Sequence, residues 1–149
     1  YLSFAVRQGV QYLEQKSDKG FFLMVEGSQI DWMNHANDGR GVVMETLDFD
    51  RAIWEALQYA HKKGNTLVLV TADHESGGMS IEKDSRLNKL KFGFTTNGHT
   101  AAMIPVYAFG PGSNLFNGIY ENTTIYQKMR KVLQLKDKSN PLSTNPLSE

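Results

Sequence analysis

Phe21-Phe22-Leu23-Met24-Val25 and Thr66-Leu67-Val68-Leu69-Val70-Thr71 are two apolar runs that do not alternate with polar residues. That pattern predicts strands covered on both faces in a parallel sheet. Between them Leu47, Phe49, Ile53, Ala56, Leu57 and Ala60 recur at helical spacing, and Lys62-Lys63-Gly64 supplies a basic last turn and a glycine stop. Strand, helix and strand therefore read as one βαβ unit over residues 21–71. Upstream, Leu2, Val6, Val10 and Leu13 form a helical stripe that stops near Lys16, ahead of Ser17-Asp18-Lys19-Gly20.

Downstream the signals are shorter. Residues 75–98 are rich in Gly, Ser, Asn, Lys and Asp, and read as a long excursion with one short strand near Met79–Ile81. Met103–Phe109 reads as a further strand, placed at an edge by Pro105. Thr123–Leu135 reads as a last helix burying Ile125, Met129, Val132 and Leu133. Asn-Pro-Leu-Ser occurs at 140–143 and again at 145–148, a composition of loop or disorder, so residues 139–149 are set apart as a tail.

Composition removes several classes of function. The chain has 149 residues, enough for one domain, and 16 Lys plus Arg balance 16 Asp plus Glu. A net charge of zero leaves no overall field to draw a polyanion, so no nucleic-acid partner is expected. There is no cysteine, so any metal must sit on His and carboxylates. No apolar run approaches the ~20 residues that span a bilayer, and the N-terminus has no signal-peptide pattern.

The chemistry gathers behind the two apolar runs. The first leads into Glu26, Asp31 and His35, and the second into Asp73 and His74, at the strand edge where parallel sheets build their sites. Asp31 and His35 are four apart, so one helical turn puts a carboxylate and an imidazole on the same face, a spacing suited to a zinc ion. Asp73 and His74 are adjacent, and can share a metal only if the strand ends before them. Taken singly, each has a plainer role, a hydrogen-bonded histidine or a capping carboxylate. The conjunction favours ligands. His61, on the charged end of a helix beside Lys62 and Lys63, is read as solvated. Met24, Met33 and Met44 are read as core packing, and Trp54 and Tyr59 as helix burial.

Three segments resemble alkaline phosphatase in order and spacing: Val25-Glu26-Gly27-Ser28-Gln29-Ile30-Asp31-Trp32-Met33-Asn34-His35-Ala36, Thr71-Ala72-Asp73-His74-Glu75, and Gly98-His99-Thr100. The resemblance implies that Asp31, His35 and His99 hold one Zn2+, that Asp73 and His74 contribute to a second, and that Glu26 contributes to an incomplete Mg2+ site. Pattern and resemblance together predict an α/β fold, a three-layer αβα sandwich on a largely parallel sheet. Residues 1–138 would be the C-terminal portion of an alkaline phosphatase domain.

In the family a serine is transiently phosphorylated during hydrolysis of phosphate monoesters, and inorganic phosphate is released. The serine, a bridging aspartate, a magnesium-binding threonine and a phosphate-clamping arginine belong to an N-terminal portion with no matching motif here. Neither Ser76 nor Asp84-Ser85 has the context of that nucleophile. Trp32 stands where some relatives carry Lys or His, and one indole donor cannot replace an ammonium. The resemblance thus implies an enzyme whose serine lies outside this chain and whose partner is its own missing N-terminal portion. It also allows a homodimer, and implies a periplasmic or extracellular location. Two alternatives are a phosphodiesterase or phosphomutase of the same superfamily, and a non-catalytic metal-binding module.

Overall fold

The computed structural model describes residues 1–135, so the expected boundary at 138 and the tail 139–149 lie outside the described residues. Helix α1 spans Leu2–Glu14, α2 Gln29–His35, α3 Gly39–Lys63 and α4 Thr124–Val132. Six short strands lie between α3 and α4: β1 Val68–Val70, β2 Glu75–Ser76, β3 Ser80–Ile81, β4 Phe92–Gly93, β5 His99–Thr100 and β6 Tyr107–Phe109.

The α1 stripe folds as its spacing requires: Val6 and Val10 are buried, and with Ala52 of α3 they form the core. Leu2, Phe21, Val25, Ala56 and Tyr59 pack around them. The rings of Phe21 and Tyr59 lie 6.1 Å apart. Two ion pairs, Arg7 with Glu55 and Lys63 with Glu14, bind α1 along α3.

α3 begins at Gly39 rather than at Leu47, because the Asp38 carboxylate accepts the Gly41 N–H at 2.9 Å and caps its first turn. Its end is where the sequence puts it. Gly64 takes φ 71° and donates its N–H to the Ala60 carbonyl at 2.9 Å, a left-handed stop that glycine adopts without steric cost.

The α/β class holds, but the strand pairings differ from expectation. Residues 21–25 run extended without joining a strand, and β1 pairs antiparallel with β6, Val68 opposite Phe109. β2 with β5 and β3 with β4 are also two-stranded and antiparallel, so no parallel pair forms among the described residues. The physical reason is that side chains, not a ladder, anchor 21–25. Phe21 and Val25 pack on the α1–α3 core, whereas Phe22 and Met24 are 62% and 78% exposed. The run is therefore covered on one face rather than two. β6 reaches β1 closely enough that a Cβ on Gly110, at φ 104°, would lie 2.2 Å from the Thr66 carbonyl oxygen.

Other expectations need correcting. The excursion at 75–98 contains three strands, β2 to β4, where one was expected. Met44 and Trp54 are exposed on α3, and Met24 is exposed as noted, so none of them packs in the core. α4 has no fully buried residue, and Leu133, just past its end, is exposed. Regular structure at 103–109 is confined to β6, with the Pro105 carbonyl instead accepting the Thr71 hydroxyl at 3.2 Å.

Candidate metal centre

Helix α2 sets the first two side chains. Its single run of seven residues carries Asp31 and His35 on one face, and His35 Nε2 lies 3.3 Å from Asp31 Oδ2. α2 packs on α3, and the Asp38 N–H donating to the Met33 carbonyl closes the turn between them. The third side chain comes from β5. His99 Nε2 is 3.2 Å from His35 Nε2 and 3.9 Å from Asp31 Oδ1. One ligand atom from each of the three lies within 4.8 Å of the others.

A main-chain contact orients this cluster. His35 Nδ1 lies 2.5 Å from the Asn97 carbonyl oxygen, which can only accept, so Nδ1 carries the proton. In the neutral ring, Nε2 then turns a lone pair toward the Asp31 carboxylate. Two acceptors at 3.3 Å repel unless a proton or a metal ion lies between them. Among the described residues Asp31 Oδ1 is buried without a hydrogen-bond partner. An unsatisfied carboxylate oxygen beside two imidazoles is a donor set that could hold a divalent cation, and three such donors would leave a further coordination position open.

Asp73 and His74 stand directly beside it. β1 ends at Val70, which frees both from strand alternation, and His74 Nε2 lies 3.3 Å from Asp73 Oδ2. The His74 ring stacks on His99 with centroids 3.6 Å apart and planes 22° apart. His74 Nδ1 is buried with no hydrogen-bond partner among the described residues. Asp73 is largely exposed, and no other carboxylate joins this pair among the described residues.

Glu26 does not join either group. It follows the extended run, is exposed, and has no hydrogen bond or ion pair among the described residues. His61 is exposed near the end of α3, away from the cluster. Trp32, 63% exposed, lines an open depression of about 550 Å³ with Asp31, His35 and Ala36. Two features escaped the sequence reading. The Asn97 carbonyl is main chain and leaves no residue-type signal, while Glu75 and Thr100 stand inside the quoted motifs yet were given no role.

The alkaline phosphatase family profile matches residues 2–90 and 80–135. Alkaline phosphatase 3 of Bacillus subtilis is 32% identical over 84% of this chain and 42% of its own length. Alkaline phosphatase of Escherichia coli K12 is 34% identical over 83% of this chain and 30% of its own. Among solved structures, alkaline phosphatase from the Antarctic bacterium TAB5 superposes with a TM-score of 0.83 at 45% identity, covering 90% of this chain and 41% of that one. A point mutant of TAB5 alkaline phosphatase, described with Mg bound in its M3 site, gives a TM-score of 0.81 at 46% identity, covering 90% of this chain and 41% of that one. The chain thus spans less than half the length of these relatives.

Proposed function

Because the chain belongs to the alkaline phosphatase family, we propose that it supplies the C-terminal metal ligands of an enzyme that hydrolyses phosphate monoesters. The observation that carries this reading is the convergence of Asp31, His35 and His99, with ligand atoms within 4.8 Å of one another. In the proposal these three hold a zinc ion, and Asp73 and His74 contribute to a second. Glu26 contributes to a magnesium site that needs residues from elsewhere. When bound, the metal ions supply Lewis-acid stabilisation of the charge that develops on the phosphoryl oxygens.

The chain's own residues do the holding and orienting. Asp31 and His35 face the site from a single turn of α2, the Asn97 carbonyl keeps His35 Nε2 aimed inward, and β5 brings in His99. Glu26, Asp31 and Asp73 carry about three negative charges when ionised. Two divalent cations would therefore leave a local positive excess that attracts a phosphate dianion despite a net charge of zero for the chain. The serine nucleophile is proposed to lie outside residues 1–149, so the chain alone would turn nothing over. Export to the periplasm or cell exterior, and pairing of two copies, belong to the same proposal. No helix among the described residues is long and apolar enough to cross a membrane.

The test uses the protein expressed from its complete reading frame. Hydrolysis of an aryl phosphate monoester should be abolished by a chelator and restored by Zn2+ with Mg2+. It should exceed hydrolysis of the matching diester, and should collapse in the Asp31→Ala, His35→Ala, His99→Ala triple variant. Activity that survives both chelation and the triple substitution would overturn the assignment.

A further inference from the structure

We infer that Glu75 and Thr100 are positioning residues, a cross-strand clamp that fixes the spacing of His74 and His99 and so couples the two proposed metal positions. The inference rests on the metal-binding reading above. Each residue directly follows a histidine of the centre, Glu75 after His74 and Thr100 after His99. β2 and β5 pair Glu75 with Thr100 and Ser76 with His99. Side chains alternate along strands, so Glu75 and Thr100 lie on one face of this ribbon and Ser76 and His99 on the other.

The clamp is a hydrogen bond from Thr100 Oγ1 to Glu75 Oε2. Its polarity is set from the far side, because the Ala102 N–H donates to Thr100 Oγ1 at 3.4 Å and leaves the hydroxyl proton for the carboxylate. Two residue pairs are all the ladder this ribbon has, which is too little to hold a register alone. The Gly77 N–H to Gly98 carbonyl bond, at 2.8 Å, closes one end, and the Glu75–Thr100 bond closes the other. His99 sits between these two ties, and His74, one residue outside the Glu75–Thr100 tie, stacks on it with ring centroids 3.6 Å apart. A carboxylate acceptor makes this tie stronger than a neutral pair of the same geometry. Sliding the ribbon by one residue would turn His99 to the opposite face, away from Asp31 and His35.

Cobalt(II) replaces the colourless ion and reports coordination through its visible absorption, which reads ligand geometry apart from turnover. It is titrated into the protein expressed from its complete reading frame. Thr100→Val, which keeps the shape but removes the hydroxyl, and Glu75→Leu, which removes the acceptor, should each weaken Co2+ binding about 10–100-fold and alter the visible bands. Thr100→Ser keeps the donor and should stay near wild type, and Glu75→Gln, which keeps a weaker neutral acceptor, should fall between wild type and Glu75→Leu. The double variant Thr100→Val, Glu75→Leu should be no worse than either single one. Should Thr100→Val fail to fold, Thr100→Ala carries the same expectation.

Wild-type affinity and spectrum in both Thr100→Val and Glu75→Leu would overturn the clamp alone. Loss of binding in Glu75→Gln as large as in Glu75→Leu would also overturn it, by making the charge of Glu75 the requirement. A wild-type protein that shows no Co2+ signal dependent on Asp31 would overturn the metal-binding reading, and the clamp with it.

Discussion

At Asp31 the helical period settles a chemical question, since a residue four positions on must lie over the same face, and that residue is His35. This pair was legible in the sequence without any structure. His99 was not, because nothing in local spacing ties a residue in a polar excursion to a helix 64 positions earlier; only the resemblance pointed to it. Glu26 shows the opposite limit, since the same resemblance gives it a role while it makes no polar contact among the described residues. Substitution separates these roles. His35→Ala should abolish stoichiometric zinc binding in a calorimetric titration, whereas His61→Ala should leave it unchanged. Equal loss in both would show that binding is non-specific imidazole chemistry.

The two ends of α3 show why element boundaries were unevenly legible. Its C-terminus was readable because Lys62-Lys63-Gly64 combines favourable charge with the residue that a left-handed stop needs. Its N-terminus was not, because it carries Gly39 and Gly41, residues of low helix propensity that here allow close packing: a Cβ on Gly41 would lie 2.6 Å from Met33 Sδ. Gly64→Ala should lower stability by roughly 1 kcal/mol, from backbone strain at φ 71° alone, since nothing among the described residues lies within 4 Å of the added carbon. Asp38→Ala should cost about 1 kcal/mol through loss of the cap. Thermal melts measure both.

The α1–α3 seam also predicts a pH dependence. Hydrogen bonding to Lys63 holds the Glu14 carboxyl below its usual 4.5, and hydrogen bonding to Arg7 does the same for Glu55. A depressed folded-state value means a contribution that is complete above the unfolded value near 4.5 and disappears as pH falls through the lowered one. Acid should therefore lower the melting temperature of the wild type more steeply than that of Glu14→Gln, Glu55→Gln. Glu14 is exposed and Glu55 partly exposed, so salt should shrink the difference. Parallel slopes in the two proteins would show that the seam contributes nothing.

Across the whole molecule the sheet was the least legible part. A continuous apolar run specifies that a segment is to be covered, but not by what or in which direction; in 21–25 only Phe21 and Val25 reach the core, and Phe22 and Met24 stay exposed. Tyr107 and Phe109 of β6, and Met44 and Trp54 of α3, add to the bare apolar surface. A chain of 16.8 kDa with that much uncovered surface should self-associate when expressed as residues 1–149. Sedimentation should give a mass that rises with concentration, and a constant 16.8 kDa would contradict the expectation.

The interval of 64 positions from His35 to His99 also has a meaning in time. At synthesis rates of about 5–20 residues per second, the helix that bears the first pair leaves the ribosome roughly 3–13 seconds before the third side chain of the cluster, His99, exists. During that interval a passing cation finds a two-toothed grip at best. In the proposed centre the ion would therefore be selected late, by whichever cellular compartment surrounds the polypeptide when its last strands settle.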